Sequence, residues 1–286
     1  MKDVLIIGAG PAGISASLYL ARSGKANVTI AYYETSALSK ATKIENYFGF
    51  AEALSGEELL ENGRKGAERL GVTFIKTEIL EISINADLRF EVTDTNGSKI
   101  YDAVLIAAGA SRKNAAIPGI KEYEGKGISY CAVCDAFFHR NKAVAVIGNG
   151  EYAAHEANVL LNTASDVTIL TDGKQLEADI PDRIKVNTNK INAIVGNGKI
   201  SGVVFDNGET IDTDGIFIAI GTAGSSDLAR KAGAATENGN IIVDENGMTT
   251  IPGLYAAGDC TGGVLQIATA VGEGAKAALG MIGFLK

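Results

Sequence analysis

Proline, cysteine and histidine are scarce in this 286-residue sequence, at four, three and two residues, and tryptophan is absent. Three cysteines do not build the structural disulfide framework that staples small secreted domains. Two of them, Cys131 and Cys134, are spaced C-x-x-C, which leaves redox chemistry or half of a metal site as the readings. The metal reading is poorly supplied, because there is no second C-x-x-C and the only histidines are His139 and His155. No bound metal is expected. Long apolar runs are missing too, none approaching the roughly 20 residues of a membrane span. The opening MKDVLIIGAG enters an apolar strand pattern at once, without the longer apolar core and small-residue cleavage site of a signal peptide. A cytoplasmic protein without membrane contact is expected. Basic charge is also short. A net charge of −8 argues against nucleic acid as a partner, since phosphate neutralisation needs clustered Lys and Arg.

Glycine is abundant instead, at 35 residues, which suits tight turns and close backbone approach to a ligand. One signature occurs twice, about 140 residues apart. The first copy is the strand pattern Val4-Leu5-Ile6-Ile7, then Gly8-x-Gly10-x-x-Gly13, a small-residue helix to about Arg22, the strand Val28-Thr29-Ile30 and the acid Glu34. The second is Ala143 to Ile147, then Gly148-x-Gly150-x-x-Ala153, a helix to about Leu161, the strand Val167 to Leu170 and the acid Asp172. A glycine-rich turn alone is a weak signal; with a strand before it, a helix after it and an acid some 20 residues on, it reads as a dinucleotide site. The first glycine permits the turn, the second lets the backbone approach a pyrophosphate, and the third allows close helix–strand packing. The pyrophosphate then lies at the helix N-terminus, where unpaired N–H groups favour an anion.

Between the copies, residues 72–92 alternate like strands and precede the turn Asn96-Gly97. Buried strands ending in small-residue turns are expected over 101–109, 215–221 and 253–259, with a closing helix from about Leu265 to Leu285. The expected fold class is α/β, with two Rossmann-like, three-layer ββα dinucleotide-binding domains, the second inserted into the first. The expected boundaries are 1–112 and 244–286 for the first domain and 113–243 for the second.

Specific residues now carry a family resemblance. Cys131-Ala132-Val133-Cys134-Asp135, followed by Phe137-Phe138-His139-Arg140-Asn141 and the second glycine turn, resembles the core of the low-molecular-weight bacterial thioredoxin reductases. Glu45-Asn46-Tyr47-Phe48-Gly49 resembles their flavin-contacting segment, Ala107-Ala108-Gly109-Ala110-Ser111 their ATGAS turn, and Ala256-Ala257-Gly258-Asp259 their C-terminal flavin motif. The resemblance runs along essentially the whole chain. It implies a disulfide reductase with FAD as cofactor, thioredoxin as partner and a homodimeric assembly. It makes Cys134 the flavin-proximal sulfur, Cys131 the sulfur that attacks the partner's disulfide, and Asp135 the acid/base. Exchange through a mixed disulfide then requires Cys131 to become accessible. For FAD it implies Gly8, Gly10, Ala12 and Gly13 at the pyrophosphate, Tyr33 and Glu34 at the adenosine, and Asn46 at the isoalloxazine. Asp259 with Gly258 falls to the ribityl region, and Leu38, Ile79, Ala108, Gly109, Gln266 and Ile267 complete the set. Departures are present: Leu265 stands where the family has arginine, and Thr35-Ser36-Ala37 replaces its GGQ. Cys260, beside Asp259, reads as a buried small residue.

The electron donor stays open between three readings. Members that use NADPH carry an arginine cluster after the second strand, where bidentate guanidinium contacts grip the 2′-phosphate. This chain has Thr171-Asp172-Gly173-Lys174-Gln175-Leu176-Glu177 and no arginine until Arg183, which disfavours NADPH. Asp172 could instead accept from the free 2′-hydroxyl of NADH, which would make the chain an NADH-dependent reductase of thioredoxin or of a peroxiredoxin system. Glu151 and Tyr152 on the first turn of the second helix disfavour any pyrophosphate. Together with Gly221-Thr222-Ala223-Gly224-Ser225, this combination is most like the ferredoxin-dependent flavin thioredoxin reductases of clostridia, so ferredoxin is the favoured donor. Most ferredoxins are acidic, and Lys40, Lys43, Arg112 and Lys113 are candidates for a local basic patch. A flavin-binding module without redox turnover is the reading of another class; intact Cys131, Cys134 and Asp135 argue against it.

Overall fold

A computed structural model describes residues 1–110 and 116–286. It divides into two compact units, one of Met1–Arg112 with Gly224–Lys286 and the other of Lys113–Ala223.

The first unit begins with β1 (Lys2–Ile7), α1 (Pro11–Arg22) and β2 (Ala26–Tyr32). Then come α2 (Gly56–Arg69), β3 (Thr73–Lys76), β4 (Ile79–Ile84), β5 (Phe90–Asp94), β6 (Gly97–Tyr101) and β7 (Ala103–Ile106). Val4, Ile6, Val28, Ile30 and Leu105 are fully buried against α1, as period-2 alternation requires, while Leu5, Ile7 and Ile106 are buried on the opposite face. A sheet covered on both faces reads as a near-continuous apolar run, which is what Val4 to Ile7 shows. Helix α2 starts on a reciprocal cap: Ser55 Oγ accepts from Glu58 N–H at 3.2 Å, and the Glu58 carboxylate accepts from Ser55 N–H at 2.9 Å.

The second unit contains α3 (Ile120–Tyr123), β8 (Ile128–Ser129), α4 (Ala132–Asp135), β9 (Ala143–Ile147), α5 (Glu151–Leu160), β10 (Asp166–Leu170) and β11 (Lys185–Asn187). It ends with β12 (Ile191–Gly196), β13 (Ile200–Phe205), β14 (Thr210–Asp212) and β15 (Gly215–Ile218). Its parallel sheet has the order β11-β10-β9-β15-β8. One face, with Ala145, Ile147, Leu170 and Ile216, packs on Ile194, Val203 and Phe205 of the antiparallel β12-β13-β14 meander, and α5 lies against β9 and β10.

The chain then returns to the first unit through α6 (Ser225–Lys231), the short hairpin β16 (Thr236–Glu237) and β17 (Asn240–Ile241), β18 (Leu254–Ala256) and α7 (Ile267–Phe284). β18 pairs with β7 and completes the parallel order β18-β7-β1-β2-β3. Two parallel Rossmann-type sheets are thus present, as expected. The return comes at Gly224 and not near 244, because α6 packs on β4 and the buried Lys231 ammonium donates to the Leu80 carbonyl at 2.8 Å.

Candidate active site

In the first unit, the glycine turn after β1 is built for a ligand that comes close to backbone. Gly8 has φ +112°, and a Cβ there would sit 2.3 Å from the Ala107 carbonyl oxygen. A Cβ on Gly13 would lie 2.0 Å from the Gly8 carbonyl oxygen, so the strand and α1 touch only because neither residue has a side chain. Gly10 caps α1 without a side-chain hydrogen bond among the described residues, and Pro11 follows at the first helical position. Tyr33 and Glu34 follow directly on β2, and Leu38 lies in a short helical turn over Ala37–Lys40. Asn46 Nδ2 donates to Gln266 Oε1 at 3.4 Å, which joins two residues 220 apart that carry separate motifs. Gln266 is the N-cap of α7, and Ile267 opens that helix.

Gly258, with φ +83°, brings the Asp259 turn against α1, its absent Cβ falling 3.0 Å from that of Ala12. The turn is held by Glu273 of α7, whose carboxylate accepts from Gly258 N–H at 2.8 Å and from Thr261 Oγ1 at 3.2 Å. Ile79 opens β4 in a buried position, and the Gly109 carbonyl after β7 accepts from Ser225 Oγ at 2.7 Å. Ser111, Arg112 and Lys113 lie outside the described residues. Of the other basic candidates, Lys40 is exposed, while Lys43 is ion-paired with Glu45 at 2.7 Å.

In the second unit, Cys131 and Cys134 form a disulfide across α4. Cys131 is buried at 3% exposure and Cys134 is exposed, so the sulfur nearer solvent is not the one the resemblance assigns to the partner's disulfide. Ser129 organises the loop: its hydroxyl accepts from Cys131 N–H at 3.1 Å and donates to Asp135 Oδ2 at 2.6 Å. The Glu156 carboxylate accepts from Ala132 N–H at 2.7 Å, and the Tyr152 hydroxyl donates to the Tyr130 carbonyl at 3.4 Å. Val133, Phe137 and Phe138 are exposed beside the disulfide. Cys260, in the first unit, is buried; its thiol donates to the Ile106 and Ala257 carbonyls, and burial pushes its pKa up to about 12.

The second glycine turn has the same backbone logic, since a Cβ on Gly148 would lie 2.1 Å from the Ala219 carbonyl oxygen. Its surroundings differ. The loop after β10 folds back onto it: Glu177 N–H donates to the Asn149 carbonyl at 2.7 Å, and Asn149 Nδ2 donates to the Gln175 carbonyl at 3.2 Å. Asp172, with φ +53°, turns its carboxylate to the Ile191 N–H at 2.9 Å. Tyr152 does not project over the turn. It is 1% exposed and directed toward the redox loop.

The chain matches the pyridine nucleotide-disulphide oxidoreductase family over residues 2–274. A thioredoxin reductase of Aquifex aeolicus (strain VF5) is 34% identical over 300 residues, covering 99% of this chain and 93% of that protein. This chain belongs to the low-molecular-weight thioredoxin reductase family. Among solved members, the atypical thioredoxin reductase TRi of Desulfovibrio vulgaris Hildenborough is 40% identical with a TM-score of 0.92, covering 100% of this chain and 98% of that one. The ferredoxin-flavin thioredoxin reductase of Clostridium acetobutylicum is 28% identical with a TM-score of 0.68, over 99% and 97% of the two chains. The family binds FAD and reduces disulfides through a C-x-x-C pair. The first glycine turn fits that cofactor, with a helix N-terminus that has no side-chain cap and with Gly8 and Gly13 packed against backbone too closely for any Cβ.

Sequence reasoning missed Ser129, Tyr152 as a link to the redox loop, Glu156 and Glu273. Tyr152, Glu156 and Glu273 act on backbone 15 to 24 residues away, and Ser129 acts within its own loop, so no local sequence pattern marked them. Among the described residues no helix is long and apolar enough to cross a membrane.

Proposed function

We propose that this chain is a flavin-dependent thioredoxin-disulfide reductase whose electrons come from a ferredoxin and not from a pyridine nucleotide. The observation that carries the donor assignment is the second glycine turn, whose Asn149 is tied to the loop after β10. In a working dinucleotide site that backbone faces pyrophosphate. Here Asn149 is bonded on both its carbonyl and its side chain to residues 175–177 of the same unit. Asp172, the acid that NADH would need for its ribose, spends one carboxylate oxygen on the Ile191 amide. Glu151 adds a carboxylate to the first turn of α5, where a pyrophosphate would be repelled. The likeness to a solved ferredoxin-flavin thioredoxin reductase is in keeping with this reading, although the chain is more similar to the atypical reductase TRi than to that enzyme.

FAD, when bound, supplies a carrier that accepts electrons singly and delivers them as a pair. Gly8, Gly10, Ala12 and Gly13 hold its pyrophosphate, Tyr33 and Glu34 its adenosine, and Asp259 after Gly258 its ribityl region. Asn46, Gln266 and Ile267 orient the ring system, with Leu38, Ile79, Ala108 and Gly109 around it. Reduction of the Cys131–Cys134 disulfide consumes two electrons and two protons and leaves two thiols. Cys131, buried in the disulfide form, must become accessible before it attacks the thioredoxin disulfide; Cys134 then resolves the mixed disulfide, releasing dithiol thioredoxin. Asp135, held by Ser129, is placed to give and take the proton. Exposed Val133, Phe137 and Phe138 beside the pair suit a protein substrate. The same reading makes the enzyme a cytoplasmic homodimer.

The test is anaerobic reduction of the holoenzyme, followed by flavin absorbance. Reduced ferredoxin should bleach the flavin, and NADH and NADPH should leave it oxidised over the same time. Rapid bleaching by either nucleotide overturns the donor assignment. Separately, Cys134→Ser should abolish thioredoxin reduction, and unchanged turnover in that variant overturns the reductase assignment.

A further inference from the structure

The helix after the second glycine turn serves the redox pair. Tyr152 and Glu156 stand four residues apart on α5, so their side chains share one face. Both are 1% exposed, and both reach the same target. The Tyr152 hydroxyl binds the carbonyl of Tyr130, which belongs to the peptide before Cys131. Glu156 Oε2 binds the amide of Ala132, which belongs to the peptide after it. The two peptide planes that flank Cys131 are therefore both held from α5.

We infer that Tyr152 and Glu156 are positioning residues for the disulfide, and that Glu156 makes the Cys131/Cys134 couple more reducing. This rests on the redox pair alone and is independent of the electron donor. The Ala132 amide is the N–H nearest in sequence to the Cys131 sulfur on its C-terminal side, and Glu156 occupies it. A thiolate at Cys131 keeps the Cys134 amide, 3.2 Å from Sγ in the disulfide form, but loses Ala132 as a donor. A carboxylate one peptide away also opposes a second negative charge. Thiolate stabilisation favours the reduced state of a dithiol, as in strongly oxidising C-x-x-C proteins. Withholding that stabilisation favours the disulfide and strengthens the dithiol as a reductant, which suits a pair that passes electrons on to another protein. The titratable groups hydrogen-bonded to the redox loop are Glu156 and Tyr152 from α5 and, through Ser129, Asp135 at the end of α4.

The test uses the full-length holoenzyme equilibrated in dithiothreitol redox buffers, with thiols trapped by alkylation and counted by mass. Glu156→Gln keeps an acceptor oxygen for Ala132 and removes the charge. Its dithiol–disulfide equilibrium should shift toward dithiol by about threefold at pH 8.5, about 14 mV for a two-electron couple. As pH is lowered until the thiols are protonated in both proteins, the shift should shrink toward none. A residue that only supports the loop would not give this pH-dependent change of potential. Tyr152→Phe keeps the buried ring and removes the donor, and amide exchange over residues 130–134 should then rise by about threefold or more. An unchanged midpoint at pH 8.5 in a folded Glu156→Gln overturns the electrostatic role. Unchanged exchange in Tyr152→Phe overturns the clamp, and that arm decides alone if Glu156→Gln does not fold.

Discussion

His139 shows how a single buried side chain writes itself into the pH dependence of the fold. Its ring meets Phe217 edge-on at 5.3 Å between centroids, and its Nδ1 is buried without a hydrogen-bond partner among the described residues. Gly215 leaves room for it, because a Cβ there would fall 2.3 Å from Nδ1. Burial pushes the His139 pKa down, the Lys142 charge adds to this, and Asp135 and Asp214 oppose it less strongly. The native state therefore prefers neutral imidazole, while the unfolded chain takes up a proton near its ordinary value of about 6.5. Stability is full above that value and falls as pH drops from it toward the lower native pKa, then levels off. The slope contributed is at most one proton, about 1.4 kcal/mol per pH unit. Urea midpoints for His139→Gln should lose this slope between pH 6.5 and the acid limb, and an unchanged slope would contradict the assignment. In the sequence His139 was legible as one of two histidines too few for a metal site and as part of the Phe137-to-Asn141 segment that carries the resemblance. Its burial against β15 is a tertiary fact that no local pattern carries.

Among the elements, α1 and α7 show which features a sequence exposes and which it hides. The strand, glycine turn and small-residue helix of both copies were legible, because turn chemistry and periodicity are local. So was α7, whose Gly274 and Ala277 give no hint of their partner until α1 is in place. A Cβ on Gly274 would sit 2.1 Å from the Ala12 carbonyl oxygen, and Ser15 Oγ donates to the Val271 carbonyl at 2.7 Å. Adding one methyl there must push backbone from backbone, so Gly274→Ala should cost about 1–3 kcal/mol despite its better helix propensity. Because Glu273 next to it holds the Gly258 turn, the same variant should also retain less FAD. Thermal unfolding and flavin content per chain measure both effects, and a stabilised, fully flavinated Gly274→Ala would refute the close-packing argument. Helix α2 was not anticipated, although Ser55 and Glu58 form a capping box that the sequence displays. Tyr152 was misread in the opposite direction: a bulky residue beside a glycine turn suggests obstruction, yet its side chain turns inward to the redox loop.

For the molecule as a whole, the doubled glycine signature made the insertion of one nucleotide-type unit into another legible. The return point was not, since α6 belongs to the first unit only through contacts such as Lys231 with Leu80, 151 residues apart. That connectivity has a thermodynamic consequence. The first unit is discontinuous: β18 must pair with β7, and α7 must pack on α1, before its sheet and cofactor cradle are complete. The second unit is one continuous stretch with its own core. Every residue assigned to FAD lies in the first unit, and a ligand that binds only the native state stabilises it by RT ln(1 + [L]/Kd), about 4 kcal/mol at a thousandfold excess over Kd. Removing FAD should therefore accelerate amide exchange across β1, β7, β18 and α7, while β9, β10 and β15 keep their protection. Hydrogen-exchange mass spectrometry of holo and flavin-stripped protein makes the comparison, with refilling by FAD as the control for reversible loss. Equal acceleration in both cores would mean that the two units unfold as one cooperative body. Their separate sheets argue for the unequal result, since each hydrophobic core is closed by strands of its own unit.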